Sequence, residues 1–158
     1  MNAQRILGVD PGLASSGWGI VEKRQNRLRH IAHGCIETSA GRKQPERLLH
    51  IYRELRSVIE TWQPEAGAIE ELYFAKNVKS ALPVAHARGV LCLAMAESGL
   101  NVFEYSPLAI KQAVTGTGGA EKHQVQHMVK LLLALQDIPR PDHAADALSA
   151  AICCANSI

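Results

Sequence analysis

The chain has 158 residues, which fits one domain with a real core, and its 47% apolar and 20% charged content is that of a soluble globular protein. A net charge of +2 decides nothing about a polyanionic partner, because an acidic site and basic patches cancel in the sum. The cysteines (Cys35, Cys92, Cys153, Cys154) show no zinc-like spacing and fit reduced, mostly buried thiols, while no apolar run reaches the length of a signal-peptide core or a membrane span, so a cytoplasmic protein is expected.

In chain order, residues 5–10 read as a short strand buried on both faces. A Gly/Ser turn over 11–17 leads to strands at about 18–23 and 28–37, and the polar 23–27 stretch suits the hairpin between them. After a polar loop, Pro45 fits the first turn of a helix. Leu48, Tyr52, Leu55, Ile59 and Trp62 give that helix an apolar stripe, and Pro64 ends it. A fourth strand is predicted at 66–70. A helix over about 77–98 must accommodate Pro83, and Gly99 stops it. Its run of Val78, Leu82, Ala85, Leu91 and Ala94 suits close helix packing, within the domain or across a dimer. A fifth strand spans 101–105, and helices follow at about 107–114, 121–135 and 142–156, with a glycine-rich loop over 115–119. This order describes a single α/β domain over 1–158: a five-stranded mixed sheet with helices on both faces, as in ribonuclease H-like folds. In such a sheet the first and fourth strands are neighbours and the site lies at their carboxyl ends.

Asp10 closes the first strand and Glu70 the fourth. Asp-Pro-Gly is also a common turn sequence, so Asp10 is either a turn residue or a cation ligand. Glu70 and Glu71 point to opposite sides of a strand, and Glu70 is the one that joins Asp10 easily while Glu71 faces solvent. In the last helix, Asp142 follows Pro141 and suits an N-cap. His143 and Asp146, three apart, share a helix face. Asp146 stands among Ala144, Ala145, Ala147 and Leu148, where a charge needs a partner that a metal would supply.

The segments Gly8-Val9-Asp10-Pro11-Gly12, Ala68-Ile69-Glu70-Glu71, Ala75-Lys76-Asn77, Ala87-Arg88-Gly89, Val102-Phe103-Glu104-Tyr105, Ala120-Glu121-Lys122 and Ala144-Ala145-Asp146-Ala147-Leu148 together resemble the bacterial RuvC Holliday-junction resolvases. Each is weak alone; their joint order over about 5–154 is specific. The resemblance implies a ribonuclease H-like homodimer that nicks two like strands of a four-way DNA junction in recombination and repair. It also implies cooperation with a RuvA–RuvB branch-migration motor. Carried over by position, Asp10, Glu70, His143 and Asp146 bind metal and catalyse, with two Mg²⁺ per site expected and Mn²⁺ as a substitute. Family members carry aspartate or histidine where this chain has His143.

Phosphodiester hydrolysis needs an activated water, neutralised phosphoryl oxygens and a stabilised leaving oxygen, and a pair of divalent ions supplies all three. Lys111 and Lys122 flank the glycine-rich loop and match family lysines near the scissile phosphate; Lys76 and Lys79 follow the Glu70 strand. Tyr73 and Phe74 stand together in a chain with only 4% aromatics. Such rings either pack in the core or wedge against bases at a junction centre, and the family position favours Tyr73 as the wedge. Three other functions compete. Actin-like or sugar-kinase ATPases share an Asp-x-Gly loop but need two such domains, which 158 residues cannot hold. A ribonuclease H-like enzyme acting on RNA and a non-catalytic junction-binding protein are the others.

Overall fold

The computed structural model describes residues 2–72 and 77–158. Five strands, β1 (Gln4–Asp10), β2 (Ser15–Arg24), β3 (Arg27–Glu37), β4 (Ala66–Glu70) and β5 (Asn101–Tyr105), form one sheet in the order β3-β2-β1-β4-β5. β1, β2 and β3 pair antiparallel, while β1, β4 and β5 run parallel. The helices are α1 (Gln44–Trp62), α2 (Val78–Glu97), α3 (Pro107–Thr115), α4 (Lys122–Leu132) and α5 (Asp142–Ser157). Every predicted element is present. β2 starts at Ser15 rather than 18, because the turn after Asp10 is tighter than its composition suggests. The buried Ser16 hydroxyl donates to the Gly12 carbonyl at 2.6 Å and accepts from Gly12 N at 3.1 Å, pinning that turn. α4 ends at Leu132, not 135, where Ala134 takes a left-handed backbone.

Two apolar layers sandwich the sheet. Leu7, Val9, Ile20 and Ile69 meet α1 and α2, through Ile51, Leu55, Ile59, Leu91 and Met95. The opposite face, with Ile6, Val21 and Ala68, meets α3, α4 and α5. α5 is the centre of that layer: eleven of its sixteen residues are buried, which only a helix apolar on nearly all sides can achieve. Its alanines allow a close approach, and the sheet meets them with glycines. A Cβ on Gly8 would sit 1.9 Å from the Ala147 carbonyl oxygen, and one on Gly17 1.9 Å from that of His143. Glycine there is a packing requirement, and it seats α5 directly over β1 and β2.

α2 differs from its sequence reading in one respect. Ala87, Leu91, Ala94 and Met95 point into the core, whereas Val78, Leu82 and Leu93 are exposed on the other side. The apolar run therefore belongs to two faces, not one. Pro83 lies inside the helix without ending it. Among the described residues no helix is long and apolar enough to cross a membrane.

Candidate active site

The site grows from the sheet register. Val9 pairs with Ile69 in the parallel β1–β4 ladder, so the strand-end residues Asp10 and Glu70 fall in the next row, on the same side as α5. The close seating of α5 then brings His143 and Asp146 down onto that row. Asp10, His143 and Asp146 each offer a ligand atom within 4.8 Å of the others. The imidazole Nδ1 of His143 donates to Asp10 Oδ2 across 2.7 Å. Glu70 lies outside that trio but lines the same cleft, with Asp10, Asp146, Lys111, Lys122, Pro107 and Ser149. The cleft holds about 290 Å³.

Electrostatically the cleft is short of cations. Asp146 is pushed up to about 6, first by burial and then by the charge of Asp10, with Lys122 opposing. Burial also raises Asp10, against the lowering effect of its His143 hydrogen bond. Glu70 is raised by burial and then by Asp10 and Asp146, with Lys111 opposing. Three carboxyl groups that hold protons more tightly than usual, chiefly through burial and, for Glu70 and Asp146, also through neighbouring carboxylates, form a donor set that a divalent cation would relieve. The oxygen-rich composition fits a hard cation, and the single imidazole also suits first-row transition ions.

Lys122 Nζ is 3.5 Å from Asp142 and 3.9 Å from Asp146, so it partly fills the cation role itself. This corrects the expectation for Asp142. It is the first residue of α5, behind Pro141 at the N-cap, and makes no side-chain cap; its carboxylate faces Lys122 instead. The helix starts one residue earlier than a cap at Asp142 requires, because Pro141 already holds the N-cap position. Glu71 ends up beyond the strand, partly buried, with its N–H donating to the Tyr105 carbonyl at 2.7 Å. Lys79 is exposed in the first turn of α2. Tyr73, Phe74 and Lys76 lie outside the described residues. Sequence reasoning missed Ser16 and the pair Gly8 and Gly17, which position the ligands without touching them. The only signal was small residues repeating beside Asp10.

Comparison with known proteins shows the family and the fold. The family model described as crossover junction endodeoxyribonuclease RuvC matches residues 6–154. The chain is 56% identical over 149 residues to the crossover junction endodeoxyribonuclease RuvC of Chloroflexus aggregans, covering 94% of this chain and 91% of that protein. It is 52% identical to that of Heliobacterium modesticaldum, covering 97% and 94%. The structure of T. thermophilus RuvC in complex with a Holliday junction substrate superposes with a TM-score of 0.89 at 35% identity, covering 95% of this chain and 92% of that one. The ribonuclease H-like fold read from the strand order is therefore borne out, and the chain belongs to the RuvC family of crossover junction endodeoxyribonucleases.

Proposed function

We propose that this protein resolves four-way DNA junctions by nicking two like strands, with Asp10, Glu70, His143 and Asp146 as the metal-binding catalytic set. The observation that carries the assignment is the convergence of Asp10, His143 and Asp146 within 4.8 Å, with Glu70 beside them, in a member of this family. Mg²⁺ is the expected ion, two per site, with Mn²⁺ able to replace it. Bound between these side chains, such ions supply an activated water, neutralise the phosphoryl oxygens and stabilise the leaving 3′ oxygen.

The protein's own groups do the rest. Asp10, Glu70 and Asp146 would hold the ions through their carboxylates. His143 holds Asp10 in place through its 2.7 Å hydrogen bond and offers a nitrogen to the same space. Lys111 and Lys122 line the cleft as phosphate partners. Lys122, now 3.9 Å from Asp146, would be available to the DNA backbone where a bound cation balanced that carboxylate. Tyr73, Phe74 and Lys76, directly after the Glu70 strand, are assigned to the junction side of this reading, with Tyr73 as the wedge.

Paired nicking calls for a two-fold dimer. Val78, Leu82, Gly89 and Leu93 form an exposed stripe along α2 at helical spacing, and among the described residues nothing beyond the adjacent helix backbone lies within 4 Å of a Cβ placed on Gly89. A helix-interior glycine costs about 1 kcal/mol relative to alanine, so one without an internal packing reason fits a partner helix at close range. The reading also includes the whole chain as one nuclease domain, cytoplasmic action on the chromosome and cooperation with a RuvA–RuvB motor.

The test is direct. A mobile four-way junction, a linear duplex and an RNA–DNA hybrid are incubated with the protein and Mg²⁺ or Mn²⁺, and the nicks are mapped. Paired nicks at symmetric positions on the junction alone are expected. Cutting of the hybrid with an intact junction would move the assignment to an RNA-directed nuclease, and binding without cutting to a junction-binding protein.

A further inference from the structure

The outer edge of β3 carries a charge pattern that the catalytic site does not use. β3 is an edge strand of eleven residues, and basic side chains cluster at both of its ends. At the hairpin end, Arg24 pairs directly with Arg27 across the strands, and Arg29 follows on the same face. All three are exposed. Like charges directly opposite one another destabilise a hairpin, so this arrangement has a cost within the free protein. Glu22, opposite Arg29 in the register, is already engaged by Arg5 at 3.3 Å.

At the other end, the loop from β3 into α1 carries the exposed Arg42 and Lys43. Among the described residues, of the acids in this segment, Glu37 and Glu46, only Glu46 approaches a cation, 3.8 Å from Arg42, a weak surface pair. The loop is tethered to the active site. Thr38 N donates to the Ala14 carbonyl at 3.0 Å, and Arg47 Nε donates to the Thr38 hydroxyl at 2.8 Å. Ala14 belongs to the turn that follows Asp10. One basic cluster thus lies on the loop tied to the turn after Asp10, and the other lies at the far end of β3.

The strand that lies between the two clusters, β3, has a length with a natural match. Ten steps along a strand at about 3.4 Å each span roughly 34 Å. A DNA strand returns to the same side of its duplex after about 34–36 Å, or 10–10.5 base pairs. We propose that the β3 edge is a track for one duplex arm of the junction, with Arg42 and Lys43 on phosphates near the cut and Arg24, Arg27 and Arg29 on phosphates about one helical turn away. This rests on the junction-resolving assignment. It adds a contact that reads no base sequence and requires a minimum arm length.

The experiment measures binding of a labelled four-way junction in EDTA across a series of salt concentrations, with arms of about 16 or about 6 base pairs, lengths chosen either side of one turn. The proteins are wild type, Arg24→Gln/Arg27→Gln/Arg29→Gln, and Arg42→Gln/Lys43→Gln. Each lost phosphate contact should lower the slope of log affinity against log salt by about 0.9. On long arms, both variants should show a shallower slope than wild type. On short arms, the hairpin variant should match wild type while the loop variant stays weaker. Equal slopes for all three proteins on long arms would overturn the track and leave the arginines as charges that only keep an edge strand from pairing. A hairpin deficit that persists on short arms would also overturn it. Should the hairpin variant fail to fold, the loop variant on long arms still decides. A wild type that fails to prefer junction over linear duplex would instead count against the functional assignment itself.

Discussion

His143 and Asp10 are joined by a 2.7 Å Nδ1–Oδ2 contact, although 133 residues separate them in the chain. This chain places an imidazole against a carboxylate proposed above as a metal ligand, where the family resemblance also allows an aspartate. Imidazole suits first-row transition ions better than Mg²⁺, and the replacement removes one negative charge from the site. Nicking should therefore be faster with Mn²⁺ than with Mg²⁺ at equal low-millimolar concentration. His143→Asp should narrow that ratio and, by calorimetry, tighten Mg²⁺ binding. An unchanged ratio would leave His143 as a group that only orients Asp10.

Asp146→Asn should abolish nicking while junction affinity stays equal or rises, since a negative charge beside phosphates is gone. Its second effect is on stability. The Asp146 carboxyl is raised from its ordinary range to about 6, so the folded state binds this proton more readily than the unfolded chain does. Lowering the pH from about 7 towards 4 should then stabilise the metal-free protein through this group, and the gain should be absent above about pH 7. Melting temperatures in EDTA across that window should lose part of this trend in Asp146→Asn. A variant that nicks normally would remove Asp146 from the site.

Gly8→Ala and Gly17→Ala test how the site is held. Each added Cβ would lie 1.9 Å from a backbone oxygen of α5, where no side-chain rotation can relieve it. Gly8→Ala should cost about 3 kcal/mol or more in chemical denaturation. Gly17→Ala pushes on the turn that carries His143, so among molecules that remain folded it should also depress nicking. A Gly17→Ala protein with full specific activity would show that α5 can shift without disturbing its ligands.

Much of this architecture was legible because its signals are local. Strand-end carboxylates after apolar runs located Asp10 and Glu70, and periodicity with proline and glycine stops located every helix. What escaped depends on contacts between distant segments. Pro141 holds the N-cap position that its neighbours suggest for Asp142, whose carboxylate faces Lys122 instead. Ile51, fully buried in α1, was absent from the predicted stripe, which drew in the half-exposed Leu48, Tyr52 and Trp62. α2 is apolar on two opposite sides, so no periodic pattern separates its core face from its outer one. A register shift between Ile20 and Val21 puts His30 and His33 on one side of β3, three residues apart, where simple alternation would have opposed them.

The outer face of α2 predicts an oligomeric change. Leu82→Lys/Leu93→Lys places two charges on the exposed stripe without touching Leu91 or Met95 in the core. Sedimentation should report a dimer for wild type and a monomer for the variant, with similar melting temperatures. Paired nicking of a junction should give way to isolated single nicks. A variant that remains dimeric would move the interface to another surface.

The histidine pair on β3 sets a pH dependence of opposite sign to that of Asp146. His30 Nε2 and His33 Nδ1 lie 2.8 Å apart, a contact that needs one nitrogen to donate and the other to accept. Burial lowers the pKa of both rings. The charge of His33 lowers His30 further, while the Arg140 backbone partly opposes the shift of His33. The folded state therefore binds these protons less readily than the unfolded chain. Stability from the pair is complete above the ordinary histidine value of about 6.5 and is lost as the pH falls below it. The effect is best read in Asp146→Asn in EDTA, where the largest opposing carboxyl is gone. There, His30→Gln/His33→Gln should soften the fall in melting temperature between about pH 7 and pH 5. If the fall is as steep without the two rings, their contact is not what makes the fold sensitive to acid.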